Sequence, residues 1–172
     1  MLKHRILVVD DDETVRDYIR ELLLRRGFTP EVAVGGLDAV AKFTRKSYDL
    51  IILDIRMPDM SGHEVLKKIK STNPDTVVIM VSAYSSIPDA VRAIRDGAYD
   101  YLPKPFKERD FDLLLNRALS LSDLVQENRR LRAREENLPQ FIGKSQSVER
   151  IREIISGVAD SRITVLITGQ SG

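Results

Sequence analysis

Five short apolar runs, each followed by an amphipathic segment, restrict the fold of this chain more than any other feature. The runs cover residues 6–9, 31–34, 50–53, 77–81 and 99–102. The first, third and fourth are continuously apolar, as strands covered by helices on both faces are. Such alternation is typical of a parallel sheet wrapped by helices. The sequence therefore predicts an α/β domain of five parallel strands.

The connections between these runs restrict the order of the strands. Helical periodicity fills the gaps, as in the stripe formed by Val15, Ile19 and Leu22, so a helix joins each strand to the next. Such connections are right-handed and rarely cross one another, which leaves few topologies. The commonest is the flavodoxin-like order 2-1-3-4-5. It gives a three-layer, doubly wound sheet with a ligand site expected where strands one, three and four end.

Composition excludes several classes of function. The chain has 172 residues, 42% hydrophobic and 31% charged, which suits a globular core. Its net charge is +1 without a basic block, so we expect no nucleic-acid binding by this part. The absence of cysteine excludes disulfides, thiolate nucleophiles and cysteine-ligated zinc. No apolar run approaches the roughly 20 residues of a membrane span and no signal peptide is visible, which favours a cytoplasmic protein without membrane contact.

Polar residues stand at the carboxyl ends of the predicted strands. The acidic run 10–12 follows the first strand, Asp54 the third, Ser82 the fourth and Lys104 the fifth. Carboxylates that face one another repel, and they stay ionised at neutral pH when a cation lies between them. Oxygen ligands with room for water suit Mg²⁺. The sequence therefore predicts a Mg²⁺ site at this edge of the sheet.

The same residues favour phosphoryl transfer. Mg²⁺ with a lysine and a hydroxyl beside it can stabilise the charge on the oxygens of a transferring phosphoryl group. A carboxylate can be the nucleophile and so form an aspartyl phosphate. Asp54 is the candidate, because it stands alone at the end of the most central strand while Asp10 and Asp11 come from a neighbouring one.

Four short motifs surround these strand ends. They are Ile6–Asp12, Leu53–Gly62, Val81–Ala83 and Gly97–Phe106. In this order and at this spacing they resemble the receiver domain of bacterial two-component response regulators, over roughly Leu2 to Leu121. The resemblance implies the CheY-like form of the flavodoxin-like fold and a histidine kinase as phosphoryl donor.

The resemblance also implies the metal ligands. Asp54 would be the phosphoacceptor and, together with Asp11, a direct Mg²⁺ ligand. The Arg56 backbone carbonyl would be a further ligand, and Asp10 would act mostly through water.

Other residues would bind the phosphoryl group or respond to it. The resemblance implies that Lys104 pairs with phosphoryl oxygens and that Ser82, where the family more often has threonine, bonds one of them. Tyr101 matches an aromatic residue whose rotamer reports phosphorylation, although a simple packing role stays open. The Lys104–Pro105 peptide bond would be cis. The responding surface would be formed by the fourth helix, the fifth strand and the fifth helix.

Four residues have simpler interpretations. Asp12 is expected to cap the helix that follows it. His4 and His63 are isolated, without metal-ligand partners, and are expected at the surface. Lys104 is expected to face solvent, so that its removal changes stability by less than about 1 kcal/mol.

Three other functions fit parts of the pattern. A Mg²⁺-dependent aspartyl phosphatase of haloacid-dehalogenase type would need a second aspartate two positions after the nucleophile, where Arg56 stands. A flavodoxin-like electron carrier would need phosphate-binding donors in the first loop, which is acidic. A non-phosphorylated interaction or dimerisation module would not need every site position to be filled.

The sequence changes character after the fifth strand. The helical pattern from Glu108 continues well past the length of a covering helix and stops at Pro139. The predicted domains are a phosphoacceptor receiver at 1–120, a helical, coiled-coil linker at 121–140 and a further segment at 141–172.

The last segment contains Phe141–Ser145 and Val165–Gly172. These motifs resemble the start of the AAA+ ATPase domain of sigma-54-dependent, nitrogen-regulator-like transcription activators, with Gln170 replacing the usual glutamate. Gly169 and Gly172 would belong to a phosphate loop that needs a further glycine and a lysine. The resemblance implies a parent that binds ATP, sigma-54 RNA polymerase and DNA through missing parts. This piece would not be a turnover enzyme and would catalyse only its own phosphorylation and dephosphorylation.

A 3-4 spacing in the linker predicts a parallel homodimer. Leu121 and Asn128 fall at a positions and Leu124 and Leu131 at d positions, with Leu138 further along. A single asparagine at an a position favours two strands at a cost in stability. Polar residues interrupt the seam, so the receiver must contribute to the contact, and a single solvated helix stays open.

Overall fold

A computed structural model of the chain describes residues 4–83, 87–136 and 145–158. It divides into two compact units, Met1–Arg129 and Arg130–Gly172. The elements in chain order are β1 (Ile6–Val9), α1 (Glu13–Arg25), β2 (Glu31–Ala33), α2 (Gly36–Arg45), β3 (Leu50–Asp54), α3 (Gly62–Thr72), β4 (Val77–Ser82), α4 (Ile87–Arg95), β5 (Asp100–Pro103), α5 (Glu108–Glu136) and α6 (Gln146–Val158).

The strands form one parallel sheet in the order β2-β1-β3-β4-β5, which confirms the predicted topology. The register places Val8 beside Ile52 and Ile52 beside Ile79. The carboxyl ends of the central strands therefore lie at one edge of the sheet, where Asp54 is paired with Val81. Asp10, Asp54 and Ser82, at the ends of β1, β3 and β4, stand at this edge.

Two apolar layers hold the helices on the sheet. Alternate residues of a strand point to opposite faces, so Leu7 and Val9 lie in one layer and Ile6 and Val8 in the other. The first layer packs beneath α2, α3 and α4, and the second beneath α1 and α5. Because these four side chains are at most 1% exposed, β1 is covered on both faces, as its unbroken apolar run predicts.

Helix α1 begins directly after the acidic loop because Asp12 caps it. The Asp12 carboxylate accepts hydrogen bonds from the backbone N–H groups of Thr14 at 2.8 Å and Val15 at 3.4 Å. These amides have no partner within the helix itself, so the cap satisfies them. The predicted capping role of Asp12 is confirmed, and the loop between β1 and α1 is limited to residues 10–12.

The N-terminus of α2 is capped from a distant part of the chain. The Asp59 carboxylate accepts hydrogen bonds from the backbone N–H groups of Gly36 at 3.0 Å, Leu37 at 2.9 Å and Met60 at 2.8 Å. The hydrogen bond from the Leu37 N–H, followed by the other two, holds the pKa of the Asp59 carboxyl below its ordinary value of 3.8. Asp59 thereby ties the segment after β3 to α2.

Replacing Asp59 by asparagine is expected to make stability less dependent on pH. A carboxyl whose pKa is lower in the folded state stabilises the fold above its unfolded pKa, and this contribution is lost as the pH falls through the folded pKa. Asp59→Asn should be less stable than wild type by about 1 kcal/mol near neutral pH. The difference should shrink as the pH falls below 3.8.

Urea unfolding across this pH range measures the difference in the free energy of unfolding. Asp17→Asn, at an exposed position of α1, is the control and should show no comparable change. A deficit in Asp59→Asn that stays constant with pH would contradict a role for the charged carboxylate.

Both histidines are largely buried, so their predicted surface positions are wrong. His63 is 7% exposed, and its Nδ1 lies 3.4 Å from the carboxylate of Asp96, which follows α4. The His4 side chain is 10% exposed, and its Nε2 lies 3.5 Å from the Asp123 carboxylate of α5. His63 faces inward because it stands three residues before the buried Leu66 on the same face of α3. The spacing of three residues between His63 and Leu66 is visible in the sequence and indicates that His63 is buried.

Helix α5 stays in contact with the first unit well past residue 120. Ser122 is 3% exposed, and Leu121 packs against the layer beneath α1 and α5. The Gln126 amide donates to the Asp49 carboxylate at 2.7 Å. Arg129 donates to the side-chain oxygens of Asn73 and Asp75, beyond the end of α3. Leu121 therefore faces the core, in contrast to its predicted place in a coiled-coil seam.

In the second unit the structure describes the end of α5 and helix α6, in which Ile154 is 57% exposed. Gly169 and Gly172 of the predicted phosphate loop, the apolar run 163–167 and Leu138 lie outside the described residues. Among the helices that are described, none is both long and apolar enough to cross a membrane.

Candidate functional site

The carboxyl ends of four strands open into a pocket of about 270 Å³. Every residue predicted to bind the metal or the phosphoryl group is part of its lining, whereas Tyr101 is not. The lining consists of Asp10, Asp11, Asp12, Val15, Asp54, Arg56, Ser82, Ala83 and Lys104. The fold thus brings together residues from the ends of β1, β3, β4 and β5.

Lys104 joins two carboxylates across this pocket. Its Nζ is 2.6 Å from Asp10 Oδ2 and 2.6 Å from Asp54 Oδ1. Asp10 is 1% and Asp54 6% exposed, and the Lys104 side chain is 15% exposed. The prediction that Lys104 faces solvent is therefore wrong. Its backbone N–H donates to the Ser82 carbonyl at 2.7 Å, which extends the pairing of β5 with β4 and keeps Lys104 beside the pocket.

Burial and ion pairing oppose each other in this cluster. Burial lowers the pKa of the Lys104 ammonium, but its hydrogen bonds to Asp10 and Asp54 outweigh this and raise that pKa above its ordinary value. Burial also raises the pKa of the Asp54 carboxyl, the hydrogen bond from Lys104 lowers it only in part, and the pKa stays above its ordinary value. Additional positive charge near Asp54 would therefore stabilise its ionised form.

The start of α3 fixes the backbone around Asp54. Asp54 Oδ2 accepts a hydrogen bond from the Arg56 backbone N–H at 2.7 Å. Gly62 donates its N–H to the Ile55 carbonyl at 2.8 Å, and a Cβ at Gly62 would lie 2.1 Å from the Asp54 carbonyl oxygen. Glycine is therefore required at the point where α3 meets the site. The sequence signalled this only through a glycine directly after Ser61, which caps α3.

The donors of the pocket suit a hard divalent cation. Asp10, Asp11 and Asp54 supply three carboxylates against the one ammonium of Lys104, and the Arg56 backbone offers a carbonyl. Oxygen donors of this kind fit Mg²⁺. Over residues 4–83, 87–136 and 145–158, no three His, Cys, Asp or Glu side chains are already grouped as metal ligands. The Lys104 ammonium instead lies between Asp10 and Asp54.

The two residues predicted to respond to phosphorylation lie in different surroundings. Ser82 ends β4, is 2% exposed and lines the pocket. Tyr101 lies in β5, is partly buried and packs against the layer beneath α2, α3 and α4. The two residues lie on the neighbouring strands β4 and β5, in which Tyr101 is paired with Met80 and Ser82 with Pro103.

A second pocket, of about 650 Å³, adjoins the acidic one and shares Val15, Ala83 and Lys104 with it. Val15, Tyr18, Pro105 and Phe106 contribute to its largely apolar lining. The rings of Tyr18 and Phe106 are 6.0 Å apart. The Lys104–Pro105 peptide bond is cis, as the resemblance implied. This pocket could not be seen in the sequence because its walls come from α1 and from the segments after β4 and β5, which are far apart in the chain.

Similar proteins are known for the first unit and for nearly the whole chain. Residues 6–116 match the response regulator receiver domain family. The C4-dicarboxylate transport transcriptional regulatory protein DctD of Rhizobium meliloti (strain 1021) is 36% identical over 171 residues, which cover 97% of this chain and 37% of that protein.

Two crystal structures are also similar to this chain. A CheY-like response regulator receiver domain protein from Methanospirillum hungatei JF-1 has a TM-score of 0.65 and 33% identity, over 73% of this chain and 98% of that one. NtrX from Brucella abortus in complex with ATP has a TM-score of 0.70 and 33% identity, over 93% of this chain and 35% of that one. The chain therefore spans little more than a third of the length of DctD or NtrX.

Proposed function

The chain belongs to the response regulator receiver domain family of two-component signalling, and from this premise we propose that it accepts a phosphoryl group on Asp54 from a histidine kinase. The observation that carries the proposal is the contact of Lys104 with both Asp10 and Asp54, at 2.6 Å each. A nucleophilic carboxylate, a cation and the hydroxyl of Ser82 thus line one small pocket.

The proposed step exchanges one bond to phosphorus for another. An Asp54 carboxylate oxygen attacks the phosphorus of a phosphohistidine, the P–N bond breaks, and its electron pair leaves with the imidazole, which takes up a proton. The Lys104 ammonium and the Ser82 hydroxyl donate to the phosphoryl oxygens and stabilise their charge. Slow hydrolysis of the aspartyl phosphate returns the Asp54 carboxylate.

The proposed ligands of Mg²⁺ are Asp11 and Asp54 directly, the Arg56 backbone carbonyl, and Asp10 through water. When bound, Mg²⁺ offsets the negative charge of the phosphoryl oxygens. Support comes from the excess of carboxylates over the single Lys104 ammonium. The raised pKa of Asp54, caused mainly by burial, supports the same assignment.

The larger apolar pocket supports a protein as the phosphoryl donor. A small donor molecule would need only the acidic pocket, whereas a histidine on a protein helix brings apolar neighbours with it. Tyr18, which is 42% exposed, and Phe106 offer such neighbours an aromatic wall beside Lys104. A kinase domain would therefore dock over α1 and the segment between β5 and α5.

Intact-mass measurement after incubation with an acyl-phosphate donor tests the proposed function. Addition of one phosphoryl group that requires Mg²⁺ is expected. No added mass under any condition would contradict the proposal. Sustained release of phosphate from an added phosphate ester would instead favour the haloacid-dehalogenase type of phosphatase, against which Arg56 argues.

The α4-β5-α5 face is the proposed responding surface. Tyr101 packs against the layer that includes Ala93 of α4, and Ser82 stands on the neighbouring strand. Val91 and Ile94 of α4 are 43% and 48% exposed. A change at Ser82 and Tyr101 would therefore reach an apolar surface that a partner can contact.

The proposed domains are the receiver at 1–120, the linker at 121–140 and the beginning of an AAA+ ATPase at 141–172. DctD is named a transcriptional regulatory protein, and NtrX was crystallised with ATP. Each aligns with at least 93% of this chain. The parent would be a cytoplasmic sigma-54-dependent activator that binds ATP, with Gly169 and Gly172 in its phosphate loop, and contacts sigma-54 RNA polymerase and DNA through other parts.

A parallel homodimer is proposed through the exposed face of α5 and the α4-β5-α5 face. Leu124 is 69% and Leu131 50% exposed, and leucines spaced in this way form the seam of two-stranded coils. Sedimentation equilibrium at tens of micromolar should show dimers for the wild type. The double variant Leu124→Gln, Leu131→Gln should be monomeric.

Leu113→Gln separates the two contacts, because Leu113 is also 50% exposed but lies earlier in α5. Loss of dimers in this variant alone would place the contact on the α4-β5-α5 face. Monomers for the wild type would contradict the dimer.

A further inference from the structure

Arg16 contacts the loop that carries two of the site carboxylates. It lies near the start of α1, and its half-buried side chain returns toward that loop. Its Nη1 donates to the Asp10 carbonyl oxygen at 2.8 Å and lies 3.4 Å from the Asp11 carbonyl oxygen. Arg16 therefore holds the backbone of the two residues whose side chains line the acidic pocket.

The other ties of this loop act on different atoms. Asp10 Oδ1 accepts a hydrogen bond from the Asp12 backbone N–H at 3.0 Å, and the Asp12 carboxylate caps α1. The Asp10 N–H donates to the Ala33 carbonyl at 3.3 Å. Replacing Arg16 would thus release the carbonyl groups of the loop while leaving the helix cap and the link to β2 in place.

The charge of Arg16 also suits this position. Asp10, Asp11 and Asp54 bring like charges into one pocket, and their repulsion favours displacement of the loop. The Arg16 guanidinium counters this repulsion from the carbonyl side of the loop. Lys104, in contrast, lies within the pocket and contacts the carboxylates themselves.

We propose that Arg16 is a positioning residue, which holds the backbone of Asp10 and Asp11 in the place from which their carboxylates can bind Mg²⁺. The inference rests on the proposed function, because it assigns a cause to the affinity of the same site. Groups that hold metal ligands from behind commonly contribute about 10-fold to 100-fold in metal affinity. Arg16 touches the backbone of the ligands and would not itself contact the metal.

Titration calorimetry with MgCl₂ on the unphosphorylated protein tests the inference. Arg16→Met, which removes charge and donors, should bind Mg²⁺ about 10-fold more weakly than wild type. Arg16→Lys restores the charge and a donor and should recover much of this loss. Arg20→Met is the matched control, because Arg20 is an exposed arginine one turn later on α1, and its affinity should equal that of wild type.

A purely structural role would change the urea midpoint without changing the Mg²⁺ affinity of the folded protein, so both are measured for each variant. Equal affinities in wild type and Arg16→Met would overturn the inference and leave the proposed function intact. Absence of Mg²⁺ binding in the wild type would overturn both. If Arg16→Met does not fold, Arg16→Gln, which keeps a neutral donor, takes its place with the same expected direction.

Discussion

An Asp54→Asn variant is expected to gain no phosphoryl group from an acyl-phosphate donor, whereas the wild type gains one in the presence of Mg²⁺. The amide oxygen of asparagine is a poor nucleophile, so the acyl phosphate cannot form. The variant should still fold, because Asp54 is buried with a raised pKa and its neutral replacement removes repulsion with Asp10. Intact mass measures the loss directly, and urea unfolding confirms the fold.

Asp59→Asn is the matched control for this loss. Asp59 is the next carboxylate along the chain, is exposed and lies outside the pocket lining. It should be phosphorylated at the rate of the wild type. Equal phosphorylation of Asp54→Asn and wild type would refute the assignment of the phosphoacceptor, and a gain of mass by the wild type without any divalent cation would refute the requirement for Mg²⁺.

The sheet could be predicted because its information is local. An unbroken apolar run such as 50–53 is compatible with a strand covered on both faces, and the observed β3, Leu50–Asp54, extends it by the single residue that enters the site. The edge strand β2 is one residue shorter than the predicted run 31–34, because it ends at Ala33 and the apolar Val34 is 61% exposed. The positions of strand ends follow from the strands, so the polar residues that line the acidic pocket could be predicted together, whereas Val15 and Ala83 of its lining were not.

The side-chain surroundings could not be predicted because they depend on contacts between distant segments. Lys104 is 94 residues from Asp10 in the sequence, and only the closed sheet brings them together. Asp59 caps α2 from 22 residues further along the chain. Leu121 has the spacing of a coiled-coil position, but the first unit covers it before any second chain can. In each case contacts between distant segments determine whether a side chain is buried or exposed, and the local sequence pattern is compatible with both.

Lys104→Ala is expected to destabilise the metal-free protein by about 3 kcal/mol, because removing one partner of a buried ion pair leaves its charge uncompensated. Here two carboxylates are left, on Asp10 and Asp54, which are 1% and 6% exposed. This expectation differs from the change of less than about 1 kcal/mol that a solvent-facing lysine implies. The free energy of unfolding in urea with EDTA distinguishes the two.

The recovery of stability identifies the cause. Mg²⁺ should restore part of the loss in Lys104→Ala, because a cation bound to the carboxylates replaces the missing positive charge. Adding Asp10→Asn to Lys104→Ala should restore part of it without metal, since one of the two repelling carboxylates becomes neutral. Lys107→Ala, at an exposed lysine directly before α5, should behave as wild type. A deficit that neither Mg²⁺ nor Asp10→Asn reduces would mean that Lys104 stabilises the fold through packing of its alkyl chain and not through its charge.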